Sequence, residues 1–186
     1  EQAHLPYRED DALLGINPYD VSKVCTDLLT QCYIRSYGVP AAIARCGNLY
    51  GPGALHFSRL IPGTIRSLVH GIPPQIRSDG TNVRDYFYVE DAADALLTLG
   101  DELSRPDVRG QAFNFGTEQP MDVLQVVGLL RDIAGRRDLQ PVVLDQARAE
   151  IKAQYLSCAK AARLLAWRHQ TDLRTGLETT FRDRKS

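Results

Sequence analysis

The sequence predicts an α/β fold, in which parallel strands alternate with helices. A helical segment with clear end signals at 17–38 leads directly into a short apolar run at 40–46. Further apolar runs then alternate with segments of helical periodicity along the rest of the chain. The 186 residues include 44% apolar and 24% charged side chains, which is typical of a globular domain that buries its own core. The second half contains more loops and favours an α+β arrangement, and no linker marks a domain boundary.

The helix predicted at 17–38 has the best-marked ends in the chain. Asn17 precedes Pro18, which suits a cap followed by the first helical position, and Gly38 lies where the helix should stop. Tyr19 and Lys23 share one face of this helix because they are four residues apart. A second face carries an apolar stripe that we expect to be buried. The stripe consists of Val21, Val24, Cys25, Leu28 and Cys32.

The apolar run at 40–46 predicts a buried strand, which ends at a glycine-rich loop over 47–53. The elements after this loop follow from apolar periodicity and from turn residues such as glycine and proline. They are a helix at 59–69, strands at 75–77 and 83–89, a helix at 91–103, a strand at 111–115, a helix at 123–134, a strand at 142–144, an extended piece at 154–157, and helices at 159–166 and 173–182.

The charge balance and the cysteines exclude several classes of protein. With 22 basic and 23 acidic residues the net charge is -1, which gives no general attraction for nucleic acid. No apolar run reaches the roughly 18 residues that a membrane-spanning helix needs. The cysteines form no CxxC pair, which indicates reduced thiols in a cytoplasm, and the histidines show no metal-ligand spacing. These residues are Cys25, Cys32, Cys46, Cys158, His4, His56, His70 and His169.

The sequence begins at Glu1, within a polar stretch, and its only methionine is Met121. It contains no G-x-G-x-x-G loop after a predicted strand, and such a loop holds a dinucleotide pyrophosphate at a helix N-terminus. It also contains no G-x-x-x-x-G-K-[ST] loop. We therefore expect these residues to be the later part of a longer, truncated pattern.

Tyr19 and Lys23 are the pair best suited to chemistry. A phenol is a poor base near neutral pH, but a neighbouring ammonium favours the phenolate. Such a tyrosine can exchange a proton with a substrate hydroxyl while hydride leaves the same carbon. The spacing alone is a weak signal, because an exposed tyrosine and lysine on a solvated helix face produce the same pattern.

Three blocks that follow one another carry a more specific signal. They are residues 17–23 (NPYDVSK), 45–52 (RCGNLYGP) and 83–92 (VRDYFYVEDA). In order and spacing they resemble the extended short-chain dehydrogenase/reductase family, which includes the NAD-dependent epimerases and dehydratases. Segments 58–64, 76–80 and 150–157 resemble those of the nucleotide-sugar 4,6-dehydratases (lyases) that act on CDP-glucose. The resemblance extends from Pro6 to the C-terminus.

The resemblance implies the C-terminal part of an extended Rossmann-type fold. Residues from about 1 to 50 would belong to the dinucleotide-binding domain, and 51–186 mostly to the substrate-binding region. Tyr19 would be the base that takes the sugar hydroxyl proton, with Lys23 on the ribose of NAD, so that both are catalytic and cofactor-binding. The implied substrate-binding residues are Asn48 near the diphosphate, Arg59 facing the nucleotide, Arg84 on the diphosphate, and Asn114.

Arg84 also stands out without the resemblance. It lies in an aromatic, half-buried strand where an unpaired cation is costly, and the planar guanidinium can donate two hydrogen bonds to phosphate oxygens. By contrast, a surface cation at Arg59 and a turn-forming amide at Asn114 explain those two residues as well as substrate binding does.

Several readings of the function stay open at this stage. The resemblance implies a nucleotide-sugar dehydratase or epimerase, but the family's dinucleotide-binding half precedes the motifs found here. We therefore expect the 186-residue chain alone to be inactive and to bind no NAD. The alternatives are a module that binds nucleotide sugars without catalysis and a structural or interaction protein. Because the strand at 40–46 would have an uncovered edge, we also expect a homo-oligomer, through the 17–38 helix or by strand exchange.

Overall fold

Helices alternate with short strands along residues 4–147 and 150–184, the part of the chain that this computed structural model describes. The α/β prediction is confirmed. The helices are α1 (Pro18–Tyr37), α2 (Leu60–Val69), α3 (Val89–Asp101, continued by a 3₁₀ turn at Glu102–Ser104), α4 (Val123–Ala134), α5 (Ala159–Leu165) and α6 (Leu173–Asp183). The strands are β1 (Ile43–Cys46), β2 (Asn48–Tyr50), β3 (Gln75–Ile76), β4 (Val83–Arg84), β5 (Tyr86–Tyr88), β6 (Ala112–Phe115), β7 (Met121–Asp122), β8 (Val142–Val143) and β9 (Ala153–Gln154).

The segment from β1 to β2 changes its strand partner at Gly47. β1 pairs in parallel with β6, and after Gly47 the chain continues as β2, which pairs in parallel with β5. The Gly47 N–H still donates to the Phe115 carbonyl, whereas the next amide, that of Asn48, donates to the Asp85 carbonyl. Asp85 in turn separates β4 from β5. The divergence of these strands opens the sheet at Asn48 and Arg84.

The smaller sheets lie in the second half of the chain. β3 pairs in parallel with β8, while β4 is the middle strand of a three-stranded sheet between β7, which is antiparallel to it, and β9, which is parallel. Within the described residues, β1 pairs along one edge only, with β6. The opposite edge of β1 therefore carries no strand from this part of the chain.

Strand β5 separates two apolar cores. Tyr86 and Tyr88 point into one core and Phe87 into the other, because successive side chains of a strand face opposite sides. The first core joins β5 to α2, α4 and α6, and the second joins it to α3, β6 and α5. All three aromatic residues are at most 6% exposed. Burial on both faces explains why this strand is a continuous aromatic run instead of an alternating one.

The apolar stripe of α1 is not buried, so that prediction is wrong. Val21 is 46% exposed and Leu28 is 53% exposed. The side of α1 that contacts the rest of the chain carries Asp27, whose carboxylate accepts a hydrogen bond from the Arg45 Nε at 2.8 Å. Asp27 is the one buried residue of the helix. The helix thus attaches to β1 through an ion pair and presents its apolar side chains outwards.

Two further expectations are corrected. The loop predicted at 47–53 contains strand β2, and the strand predicted at 83–89 is divided at Asp85 and ends where α3 begins at Val89. The other predicted elements are present, and their ends lie within three residues of the predicted ones. No helix in the described ranges is long and apolar enough to cross a membrane.

Candidate active site

A cleft of about 890 Å³ brings together three of the predicted site residues. It is lined by α2 and the loop before it, and by strands β2 to β5 and β9. Asn48, Arg59 and Arg84 all line this cleft, and the first turn of α1 adds Asn17 and Asp20. The lining therefore extends in the sequence from Asn17 to Gln154, so residues far apart in the chain meet in the same cavity.

Asn48 and Arg84 are fixed by the strands that carry them. Asn48 begins β2 opposite Tyr86, and its side chain is exposed at the point where the sheet opens. Arg84 ends β4 and is partly buried, with its Nη1 donating to the Val83 carbonyl at 2.8 Å. Burial raises the pKa of Tyr86 to about 12 and also raises the pKa of Tyr7, and in both cases the positive charge of Arg84 opposes the increase. The positive charge of Arg84 therefore lies near enough to Tyr7 and Tyr86 to lower the pKa of both phenols.

Asp85, the residue after Arg84, fixes the position of the backbone between β4 and β5. Its buried carboxylate accepts hydrogen bonds from the Thr117 N–H at 3.0 Å, from the Thr117 hydroxyl at 2.5 Å and from the Glu118 N–H at 3.2 Å. A Cβ at Gly116 would overlap this carboxylate, so the turn after β6 requires glycine at that position. The side chain next to Arg84 thereby ties β4 and β5 to the end of β6.

Arg59 and Arg77 add two more guanidinium groups to the cleft lining. Arg59 lies at the N-cap of α2 and is exposed, and Arg77 follows β3 and donates from Nη2 to the Ser58 carbonyl at 3.2 Å. None of the ion pairs formed within residues 4–147 and 150–184 involves Arg59, Arg77 or Arg84. These three cations consequently face the cavity without a carboxylate partner in the described chain.

The two carboxylates of the cleft are occupied by amide side chains. Glu150 Oε2 accepts from the Asn82 Nδ2 at 2.5 Å, and Asp20 Oδ2 accepts from the Asn17 Nδ2 at 2.7 Å. Sequence reasoning did not select Arg77, Asn82 or Glu150. A signal existed for Arg77, because a cation directly after a short apolar strand lies where sheet edges hold ligands.

Tyr19 and Lys23 lie on α1 beside the cleft but are not part of its lining. The helix begins at the Asn17 cap, whose Oδ1 accepts from the Asp20 N–H at 3.0 Å. The Lys23 Nζ is 5.5 Å from the centre of the Tyr19 ring, so the two side chains meet one turn apart as predicted. Tyr19 is 64% exposed. Asn17 and Asp20, close to Tyr19 in the sequence, line the cleft, whereas Tyr19 itself does not.

Asn114 is separate from this group. It is 1% exposed, its Nδ2 donates to the Tyr7 carbonyl at 3.0 Å, and its backbone N–H donates to the Glu9 carboxylate at 2.9 Å. It is not among the residues that line the cleft. In this structure the Asn114 side chain fastens the segment before α1 to strand β6.

The polar groups on α1 fit part of a nicotinamide cofactor. A phenol and an ammonium on one helix face can bond to ribose hydroxyl groups and can exchange a proton with a substrate hydroxyl.

The thiol of Cys46, at the end of β1, is held in its neutral form because burial raises its pKa. Within the described ranges, no group of three histidine, cysteine or acidic side chains is placed to hold a metal ion.

Comparison with known proteins identifies relatives of the whole chain. The dTDP-glucose 4,6-dehydratase of Streptomyces antibioticus is 30% identical over an alignment of 188 positions, which covers 98% of this chain and 54% of that enzyme. The dTDP-glucose 4,6-dehydratase 1 of Escherichia coli is 31% identical over 183 residues, covering 94% and 49%. The chain thus spans about half the length of these curated relatives.

Solved structures show the same relationship. An epimerase from Methanothermobacter thermautotrophicus superposes with a TM-score of 0.90 at 27% identity, covering 98% of this chain and 54% of that one. The dTDP-glucose 4,6-dehydratase of Streptomyces venezuelae, solved with NAD bound, gives a TM-score of 0.87 at 27% identity, covering 96% and 54%. This chain therefore has part of the Rossmann-type fold of those enzymes.

The family profile described as "NAD dependent epimerase/dehydratase family" matches residues 2–116, which is more than half of the chain. The matched range contains both the Tyr19–Lys23 pair and Arg84. The chain belongs to the NAD-dependent epimerase/dehydratase family.

Proposed function

We propose that this chain forms the nucleotide-sugar site of an NAD-dependent sugar dehydratase or epimerase. The observation that carries the proposal is the set of guanidinium groups of Arg59, Arg77 and Arg84, which line one cleft without carboxylate partners in the described chain. Cations without a carboxylate partner favour an anionic ligand, and arginine suits the paired oxygens of a diphosphate. Arg84 is also partly buried, whereas Arg59 and Arg77 are exposed. The size of the cleft is adequate for a nucleoside diphosphate with an attached sugar.

Each site residue has a proposed role. Arg84 and Arg59 bind the diphosphate and the adjoining nucleotide, and Asn48, at the opening of the sheet, donates to the ligand near the diphosphate. Tyr19 accepts the proton of a sugar hydroxyl, and Lys23 holds the Tyr19 side chain and the cofactor ribose. When bound, NAD would supply the hydride acceptor. Asn114 is a substrate-side position only by resemblance, since its amide is bonded to Tyr7.

The base and the reaction type are finer proposals. We favour CDP-glucose as the substrate on the resemblance of segments 58–64, 76–80 and 150–157, whereas several curated relatives are named for dTDP-glucose and UDP-glucose. Elimination to a 4-keto-6-deoxy sugar is preferred over epimerisation for the same reason. A binding module without catalysis is the alternative, and it requires only the arginines of the cleft and not Tyr19.

Turnover and assembly are proposed to need more than these residues. Tyr19 is 64% exposed, and the outward side of α1 shows the large side chains of Leu28, Leu29, Tyr33 and Tyr37. A catalytic tyrosine works inside a closed site, and an apolar helix face of this kind is normally covered. We therefore propose that the 186-residue chain alone does not turn over CDP-glucose and that α1 pairs with a second copy. The four free thiols favour a reducing, cytoplasmic location.

Calorimetric titration tests the binding proposal. CDP-glucose, UDP-glucose, dTDP-glucose and NAD are each titrated into the chain and into its Arg84→Ala variant. We expect at least one nucleotide sugar to bind, and Arg84→Ala to weaken it by about tenfold or more, because a hydrogen bond to a charged group contributes about 1.5–3 kcal/mol. Arg137→Ala, an exposed arginine outside the cleft, is the control and should change nothing. Absence of binding for all three sugars contradicts the proposal.

The oligomer and the turnover proposals have their own measurements. Light scattering at micromolar concentration should report at least a dimer, and a monomer would contradict the assembly through α1. Incubation with CDP-glucose and NAD should leave the sugar unchanged, and formation of a 4-keto-6-deoxy product by the chain alone would contradict the inactivity.

A further inference from the structure

One wall of the cleft is a loop that the C-terminal end of α6 holds in place. The loop, residues 51–59, joins β2 to α2 and contributes Ala54, Phe57, Ser58 and Arg59 to the lining. It has no regular hydrogen-bonding pattern of its own, since its internal backbone bonds are those from Phe57 to Leu55 and from Arg59 to His56. Contacts from other elements must therefore determine its position.

The last residue of α6, Asp183, and the residue that caps the helix, Arg184, supply such contacts. The Asp183 carboxylate accepts a hydrogen bond from the Gly53 N–H at 2.9 Å. The Arg184 guanidinium donates to the Ala54 carbonyl and also lies 5.3 Å from the centre of the Phe57 ring. We call Asp183 and Arg184 the α6 clamp. The clamp binds both a backbone donor and a backbone acceptor of the loop, so it restricts where the loop lies.

The opposite side of the loop is fixed by α2 and β3. The Arg66 guanidinium lies 4.8 Å from the Phe57 ring centre, and a Cβ at Gly63 would come within 2.6 Å of the Phe57 carbonyl. Arg77 donates to the Ser58 carbonyl. Phe57 is thus flanked by arginines of α2 and of the clamp, and it lies two residues before the ligand candidate Arg59.

Helix α6 is itself firmly anchored to the core. Leu177 is fully buried, and Gly176 contacts Tyr50 so closely that a Cβ would overlap the phenol hydroxyl. Tyr50 is in β2, at the strand end from which the loop departs. Because α6 is packed on the core, the clamp at its end fixes Gly53, Ala54 and the Phe57 ring relative to the core.

We infer that Asp183 and Arg184 are positioning residues for the nucleotide-sugar site. They set the place of the 51–59 loop and of the Arg59 guanidinium, and so determine affinity without touching the ligand. This inference rests on the proposed function, because it requires that the cleft bind a phosphate-bearing ligand. Loss of the clamp should lower affinity by releasing the loop, since binding must then fix the loop again.

Hydrogen exchange followed by mass spectrometry tests the clamp without any ligand. We expect Arg184→Ala and Asp183→Ala to speed exchange in peptides from 51–59 by about tenfold, which is the effect of losing one hydrogen bond to a charged group. Asp183→Asn keeps an acceptor oxygen for the Gly53 N–H and should restore most of the protection. Arg182→Ala is the matched control, because Arg182 is on the same helix and its ion pair is with Glu178.

Titration of the same variants with CDP-glucose, UDP-glucose and dTDP-glucose completes the test. We expect the clamp variants to bind the best of these ligands about threefold to tenfold more weakly than the unmodified chain, and Arg182→Ala to bind equally well. Unchanged exchange in 51–59 overturns the inference, and so does faster exchange with unchanged affinity, while the proposed function survives both results. If the unmodified chain binds none of the ligands, the proposed function and the positioning role fail together, whatever the exchange data show for the clamp.

Discussion

Replacement of Asp85 by alanine should destabilise the chain more than the replacement of any exposed carboxylate. The side chain is 1% exposed and receives hydrogen bonds from the Thr117 amide, the Thr117 hydroxyl and the Glu118 amide. A hydrogen bond to a charged group contributes about 1.5–3 kcal/mol, and the two from Thr117 are buried. Allowing for water that enters the space left by the side chain, we expect a loss of about 3–5 kcal/mol.

Urea unfolding followed by circular dichroism measures this loss. The expected decrease is a large part of the 5–15 kcal/mol that typically stabilises a domain, so the midpoint should fall sharply. Asp85→Asn keeps one acceptor oxygen and should lose less, and Asp101→Ala, an exposed acid at the end of α3, should leave the midpoint nearly unchanged. A loss below about 1 kcal/mol for Asp85→Ala would refute the reasoning that this carboxylate joins β4 and β5 to β6.

Three further predictions follow from burial. Gly176→Ala should lower the free energy of unfolding by about 1–3 kcal/mol, because the new methyl group overlaps the Tyr50 hydroxyl; an unfolding midpoint at or above that of the unmodified chain would contradict the overlap. Cys25 is exposed, whereas burial and then the Glu118 charge raise the pKa of Cys158 to about 12, so a thiol reagent at pH 8 should label Cys25 in the folded chain and leave Cys158 unmodified. Burial raises the pKa of Tyr86 from 10 to about 12, so the neutral phenol stabilises the fold below pH 10 and this contribution is lost as the pH rises from 10 to 12. Tyr86→Phe should therefore flatten the fall in melting temperature over that interval, and equal slopes for both proteins would contradict it.

Local signals in the sequence were enough to place most helices. Helix α4 has the bounds that were predicted, and local contacts mark both of its ends: Asp122 and Gln125 form a capping box, and Gly135 ends the helix in a left-handed conformation. These contacts join residues three or four positions apart, so they are legible in a short window. The same is true of the Asn17 cap of α1.

Non-local contacts were the part that the sequence could not reveal. Strand β2 was predicted as a loop because its glycine- and proline-rich surroundings are typical of a turn, and it becomes a strand only through pairing with β5. The orientation of α1 was mispredicted because periodicity identifies an apolar stripe but not the surface, if any, against which the stripe packs. The side that attaches to β1 carries Asp27, whose partner Arg45 is 18 residues away.

The candidate site divides in the same way. The Tyr19–Lys23 spacing follows from the helical repeat. Arg84 was selected by the family resemblance and by the cost of an unpaired cation in an aromatic strand. Arg77 follows a short strand, but that signal alone did not place it in the cleft, where it donates to the Ser58 carbonyl 19 residues away. The grouping of Arg59, Arg77 and Arg84 in one cleft results from the fold of the chain and not from one sequence motif.

The most direct test of the central claim is a crystal structure of the chain grown with CDP-glucose or, if that does not bind, with dTDP-glucose or UDP-glucose. The central claim is that the arginine-lined cleft binds a nucleotide sugar by its diphosphate. It predicts diphosphate oxygens within about 3 Å of the Arg84 guanidinium nitrogens, with the sugar directed towards Tyr19. A diphosphate bound outside the cleft, or inside it without contact to Arg84, would contradict the claim.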